Sequence, residues 1–101
     1  MPSLDDVFLR SSRVVGRQIA DEFLLVPLAG RGADLDSIYN LSRVGTFIWQ
    51  RLDGKTDGRG IVSSLTERFE VNGERAAADY LELVATLLSI GAIEARSGAA
   101  P

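Results

Sequence analysis

The sequence predicts a winged-helix-like α+β domain, in which a three-stranded antiparallel sheet is followed by three helices. Between residues 14 and 41, short apolar runs are separated by turn residues, a pattern typical of strands. From Val44 onward the apolar residues recur at helical spacing, so the period changes from two to 3.6 residues. Strands that precede a run of helices indicate an α+β domain with the helices packed on one face of the sheet.

The three predicted strands cover residues 14–19, 23–28 and 36–41. Ala20 and Asp21 separate the first two, which is short enough for a hairpin turn. Because side chains alternate along a strand, the third strand is expected to place two residues on one face and three on the other. These are Ile38 and Asn40 on one face, and Ser37, Tyr39 and Leu41 on the other.

The helical half of the chain contains three periodic segments. The first helix has an apolar stripe and a start that either Asn40 or Ser42 can cap, and its end is expected at Asp53-Gly54. Asp57 is expected to cap the second helix, and the third spans residues 74–89, stopped by Gly91. The stripe of the first helix consists of Val44, Phe47, Ile48 and Leu52.

The remaining residues complete the expected organisation. Residues 93–96 are predicted as a small closing strand, whereas residues 1–12 and 97–101 are expected to be loosely ordered. No repeat or linker divides the chain, so residues 1–101 are predicted to form a single domain with an ordered core at about residues 14–96.

Composition excludes several classes of function. The chain has no Cys and no His, which removes thiol nucleophiles, Ser–His and Cys–His pairs and thiolate metal sites. We therefore expect neither an enzyme, nor a metal site, nor a cofactor. A net charge of −3 argues against a nucleic-acid partner, whose phosphates require Lys and Arg. No apolar run reaches the ~18 residues of a membrane span, and the N-terminus lacks the basic region of a signal peptide, so a cytoplasmic location is expected.

The third predicted helix is more apolar than packing against one core requires. Its apolar residues fill an arc of roughly 240° when plotted at 100° per residue, whereas one contact face needs only ~100° or slightly more. The helix is therefore either buried by its own domain on both flanks or presents one flank to a peptide or a second copy of the chain.

The third predicted strand is the second candidate for a binding surface. As the last strand before the helices it is placed at a sheet edge, and residues 37–40 contain neither Pro nor Lys, which commonly block edge pairing. An open edge accepts an extended peptide through backbone hydrogen bonds. The alternative is that another segment of the chain covers this edge.

Residues 38–54, with the sequence IYNLSRVGTFIWQRLDG, resemble the PqqD-like family. The resemblance continues through Ile61, Leu65 and Phe69 in the second helix, and through Asp79, Leu81, Leu87 and the Gly91-Ala92-Ile93 ending. It covers roughly residues 14–94 and is distributed along the chain without a catalytic signature.

The resemblance implies an adaptor that recognises the leader of a ribosomally made precursor peptide and presents it to a modifying enzyme, such as a radical SAM enzyme or a leader peptidase. In such proteins the leader adds as a strand beside the third strand and packs on the third helix. The implied peptide-binding residues in this sequence are Ser37, Ile38, Tyr39, Asn40, Tyr80, Leu83, Val84 and Leu87.

Two other functions are compatible with the pattern of elements. A hairpin with three helices also describes a winged-helix nucleic-acid binder, although the net charge argues against it. The wide apolar helix would also suit a structural module that forms a homodimer, and an adaptor could dimerise as well.

Overall fold

In the computed structural model, which describes residues 2–28 and 38–96, the chain forms six strands and three helices. The strands are β1 (Val7–Arg10), β2 (Val14–Ile19), β3 (Glu22–Pro27), β4 (Tyr39–Leu41), β5 (Asp53–Asp57) and β6 (Ile93–Ala95), and the helices are α1 (Arg43–Gln50), α2 (Gly58–Arg68) and α3 (Gly73–Ser89).

One sheet has the order β2-β3-β4, and both of its pairings are antiparallel. The β2–β3 hairpin turns at Ala20 and Asp21, and Ala20 takes a positive φ of 55°. This sheet and the three helices confirm the predicted architecture. The likeness to a winged helix holds only loosely, because a second sheet joins distant parts of the chain.

That second sheet has the order β5-β1-β6. Strand β6 confirms the small closing strand predicted at residues 93–96, whereas β1, β5 and their pairing were not predicted. The expectation that residues 1–12 are loosely ordered was wrong, because β1 pairs antiparallel with both β5 and β6. Phe8 on β1 is only 2% exposed. The expected end of the first helix also differs: α1 ends at Gln50, and Asp53-Gly54 begins β5, where Gly54 has a φ of 78°.

Each of the three helices begins with an N-cap residue whose side-chain oxygen accepts a backbone hydrogen bond. The Ser42 hydroxyl accepts from the backbone N–H of Gly45, Asp57 from that of Gly60, and Asn72 from that of Arg75. Such caps satisfy one of the backbone donors left free in the first helical turn. Ser42, rather than Asn40, therefore determines where β4 stops and α1 begins.

The core is formed by side chains from both sheets and from all three helices, with Phe8 contributed by β1 and Leu25 by β3. Its apolar side chains come from every layer, and many of them are completely buried, including Leu25, Ile48, Leu52, Ile61, Leu65, Val84 and Leu87. Within the described residues, no helix is both long enough and apolar enough to cross a membrane.

Candidate peptide-binding groove

Strand β4 lies at the outer edge of its sheet, with β3 on its other side. The register pairs Leu25 with Tyr39, Leu24 with Asn40 and Phe23 with Leu41. Among the described residues, no further strand pairs with the outer edge of β4. This edge therefore presents backbone groups that an added strand would pair with.

The two faces of β4 differ as the alternation predicts. Leu41 is buried and Tyr39 is half-buried on the core side, whereas Asn40 is exposed on the opposite side. There the Asn40 Nδ2 donates a hydrogen bond of 2.6 Å to Oε1 of Glu22. Ile38, just before β4, is 38% exposed although its side chain is large and apolar.

A groove of about 500 Å³ lies between β4, α1 and α3. Tyr39 forms its β4 side and Leu83 part of its α3 side. The full lining consists of Tyr39, Ser42, Val44, Gly45, Ile48, Asp79, Glu82, Leu83 and Thr86. The volume of this groove lies within the usual range of ligand-binding pockets.

Glycine at position 45 keeps the α1 wall of the groove close to β4. A Cβ atom there would lie 3.3 Å from the Ser42 hydroxyl oxygen and 3.4 Å from Cδ2 of Leu41. Those contacts would crowd the cap of α1, so the absence of a side chain lets the helix start tight against the strand. The groove consequently opens directly beside the β4 edge.

Helix α3 presents its two flanks to different surroundings. Its core flank consists of Ala76, Tyr80, Val84 and Leu87, all at most 1% exposed. Its other flank contributes Asp79, Glu82, Leu83 and Thr86 to the groove. These four residues follow helical spacing, so they form one continuous stripe along the helix.

The structure brings only some of the predicted site residues together. Tyr39 and Leu83 line the groove, Ile38 and Asn40 lie at the same strand edge, and Ser37 is outside the described residues. Tyr80, Val84 and Leu87 are completely buried, so they do not face the groove. Asp79, Glu82 and Thr86 also line the groove but were not among the predicted site residues. They belong to the polar face of α3, and the available signal was the position of Asp79 at the border of that face with the apolar arc, one turn before Leu83.

The hydroxyl of Tyr80 has an unusual environment within the core. Its oxygen is buried and has no hydrogen-bond partner among the described residues. Burial, together with the negative charges of Asp57 and Asp6, raises the pKa of Tyr80 to about 12. The phenol is therefore neutral at physiological pH and offers no acid or base to the groove.

The described residues provide no metal-binding cluster beside the groove. Within residues 2–28 and 38–96, no group of three His, Cys, Asp or Glu side chains is arranged to hold a metal ion. The groove lining combines apolar side chains, two hydroxyl groups besides that of Tyr39, and two carboxylates. A concave lining with a few polar groups among apolar side chains is typical of a binding site.

Residues 25–93, more than half of the chain, match the family model described as coenzyme PQQ synthesis protein D (PqqD). The chain belongs to the PqqD family. The matched residues include β4, the three helices and every residue of the groove lining. The resemblance of residues 38–54 to this family is thereby confirmed.

The PqqD-family chain also resembles a solved structure described as TbiB1 in complex with the TbiA(beta) leader peptide. The TM-score is 0.70, and the match covers 85% of this chain and 94% of the other. At 23% sequence identity the likeness establishes the shared fold. No curated protein matches the chain in sequence.

Proposed function

We propose that this PqqD-family protein is a non-catalytic adaptor that binds the leader part of a ribosomally made precursor peptide and presents it to a modifying enzyme. The observation that carries the proposal is the outer edge of β4, which lies beside a groove lined by Tyr39 and Leu83. Membership of the PqqD family supports this class of function. The structurally similar TbiB1 was solved with a leader peptide, which supports the same class of ligand here.

In the proposed binding mode, the leader adds to β4 as an extended strand. Backbone hydrogen bonds to residues 38–40 supply affinity, and alternate side chains of the leader enter the groove beside Tyr39 and Leu83. Ser37 would extend the paired segment by one residue. Ordering a flexible leader costs free energy, so we expect moderate affinity.

Tyr80, Val84 and Leu87 have an indirect role in this binding mode. All three are completely buried on the core flank of α3. They hold the helix against the core and so fix the position of Leu83 and Glu82 in the groove wall. Direct contact with the leader falls to the groove flank of the same helix.

The chain supplies recognition, and a partner enzyme supplies the chemistry. The sequence contains neither His nor Cys, so the side chains most often used for acid–base and thiol catalysis are absent. A radical SAM enzyme or a leader peptidase is the expected kind of partner. The cytoplasmic location expected from the sequence belongs to the same proposal, and fractionation of the native host would test it.

An NMR titration tests the adaptor function. Isotope-labelled protein would be titrated with the leader of a precursor encoded beside its gene, and a scrambled leader of the same composition would serve as control. We expect amide shifts at Ile38, Tyr39 and Asn40 and along the groove flank of α3 around Leu83. Shifts confined to the β5-β1-β6 sheet, or no shifts at high micromolar leader, would contradict the proposal.

A second copy of the chain is the main competitor for the β4 edge. Pairing of two β4 edges would produce a homodimer and would cover the groove. Sedimentation across a range of protein concentrations, with and without leader, separates the two cases. Dissociation of a dimer on addition of leader would show that both use the same edge.

A further inference from the structure

The groove carries negative charge along its α3 wall. Among the described residues that line it, Asp79 and Glu82 are acidic and none is Lys or Arg. The opposite side and the floor consist of apolar or neutral side chains, including Val44 and Ile48. A ligand in this groove therefore meets uncharged side chains on one side, and Leu83 together with the two carboxylates on the other.

The two carboxylates differ in how they are already paired. Asp79 Oδ1 lies 3.2 Å from Nε of Arg75, one turn earlier on α3, and the Arg75 side chain is 72% exposed. An exposed pair of this kind contributes little free energy, so an incoming cation can share Asp79 with Arg75 or displace Arg75 from it. Glu82 is exposed and has no ion-pair partner among the described residues.

The spacing along α3 matches the spacing of an extended peptide. Leu83 and Asp79 are one turn apart, which is about 6 Å along the helix axis. Side chains on one face of an extended strand repeat every two residues, or about 6.8 Å. A strand that runs along α3 and places one side chain against Leu83 therefore places the next one on that face near Asp79. Glu82 lies between these two levels of the helix, about 4.5 Å from Asp79 along the axis, within reach of a long Lys or Arg side chain.

We propose that the groove selects leader peptides in which a Lys or Arg lies two positions from a large apolar residue. The apolar side chain packs against Leu83 on the α3 wall of the groove, and the cation pairs with Glu82 and Asp79. This inference rests on the proposed function, since it specifies the ligand of the same groove. It makes Glu82 and Asp79 specificity-determining residues.

The same charges discriminate against acidic leaders. A Glu or Asp at that peptide position would face two carboxylates at close range, and like charges in a partly desolvated groove oppose binding. A neutral residue would bind with intermediate affinity. The order of preference at this position is therefore basic, then neutral, then acidic.

Selection from a phage-displayed library of random peptides tests the proposal on the full-length chain. We expect the wild-type protein to enrich Lys or Arg two positions from a Leu, Ile or Phe. The Asp79→Asn/Glu82→Gln protein should retain the apolar preference and lose the basic one. Glu94→Gln serves as the matched control, because Glu94 is an exposed residue on β6 and does not line the groove.

Synthetic versions of an enriched peptide measure how strongly the groove prefers a basic residue over a neutral one. Replacing its basic residue by Gln should weaken binding to the wild-type protein about two- to fivefold, and the loss should shrink in high salt. The same replacement should leave binding to Glu82→Gln/Asp79→Asn nearly unchanged. Fluorescence anisotropy at low and high salt measures both effects.

The outcomes separate this inference from the adaptor function. Peptides that bind at β4 with equal preference for basic and neutral residues, in wild type and double variant alike, would overturn the charge selection and leave the adaptor function standing. If neither the library nor the precursor leader gives binding at β4, both proposals fail together.

Discussion

The Asn40 side-chain amide donates a 2.6 Å hydrogen bond to the Glu22 carboxylate across the β3–β4 pair. This bond lies on the face of the sheet turned away from the groove, because Tyr39, the preceding residue on β4, is the one that lines it. Of these two adjacent residues, Asn40 therefore stabilises the sheet and Tyr39 lines the groove.

Alanine at these two positions should separate binding from stability. We predict that Tyr39→Ala weakens leader binding about fivefold or more, as truncation of a central aromatic contact residue does. Asn40→Ala should leave affinity within about twofold and lower the free energy of unfolding by about 0.5–1.5 kcal/mol, the usual net contribution of one hydrogen bond. Peptide titration and urea unfolding of both variants measure the two effects. Equal losses of affinity would contradict the assigned faces.

Leu83 and Leu87 lie one turn apart on α3 and provide a second matched pair. Leu87 is completely buried, so Leu87→Ala should lower the free energy of unfolding by about 2–5 kcal/mol. Leu83 lines the groove and is half-buried, so Leu83→Ala should cost roughly 1 kcal/mol or less of stability and weaken leader binding. Circular dichroism during urea unfolding, combined with titration of the folded fraction, distinguishes the two. If Leu83→Ala bound the leader with unchanged affinity, Leu83 would not be part of the binding site.

The sequence was sufficient to predict strands, their faces and a helix cap where the local residue pattern agrees with the tertiary structure. Alternation from Ile38 to Leu41 predicted the faces of β4, and the Asp57 side chain caps α2 as expected. Residues 14–19 form the predicted first strand of the hairpin. The two strands are neighbours in the sequence, and each contains a run of apolar residues. Local patterns of this kind do not depend on distant parts of the chain.

The second sheet could not be predicted because its strands are stabilised by distant partners. β5 has the sequence Asp-Gly-Lys-Thr-Asp, which is poor in β-forming residues, and it forms a strand by pairing with β1. β1 in turn lies more than eighty residues before β6 along the chain. The groove flank of α3 was ambiguous for a similar reason. Leu83 and Val84 are both apolar, and only the packing of α3 against α1 and α2 decides that Val84 is completely buried while Leu83 lines the groove.

The first residues of α2 and α3 form a matched pair of glycines. Gly58 and Gly73 each follow the helix cap, but a Cβ at Gly58 would lie 2.7 Å from Cε2 of Tyr80 and 2.9 Å from Cα of Leu4. Nothing lies within 4 Å of a Cβ at Gly73. We predict that Gly58→Ala lowers the free energy of unfolding by about 1–3 kcal/mol through overpacking. Gly73→Ala should be neutral or up to about 1 kcal/mol stabilising. Thermal and urea unfolding test both, and equal stabilities would argue against the close packing of Leu4 and Tyr80 against Gly58.

The buried hydroxyl of Tyr80 predicts a loss of stability at alkaline pH. Its pKa is raised to about 12 in the folded protein, whereas an unfolded tyrosine titrates near its ordinary value of 10.0. Below pH ~10 both states hold the proton, and this group adds no pH dependence. Above that, the unfolded state binds fewer protons than the native state, so stability falls with rising pH until the native phenol also ionises near 12.

Tyr80→Phe isolates this effect. Because the hydroxyl has no hydrogen-bond partner among the described residues, its removal should leave stability at pH 7 unchanged or raise it by up to about 1–3 kcal/mol. The advantage of Tyr80→Phe over the wild type should then grow by up to about 1.4 kcal/mol per pH unit between pH 10 and 12. Urea unfolding of both proteins across this range measures the difference.

The ionisation of Tyr80 can also be measured directly. The chain has two tyrosines, so Tyr80 is the sole tyrosine of Tyr39→Phe, and absorbance near 295 nm reports its ionisation. Ionisation of folded Tyr39→Phe near pH 10 would show that the Tyr80 hydroxyl reaches solvent, and the predicted pH dependence would then be absent.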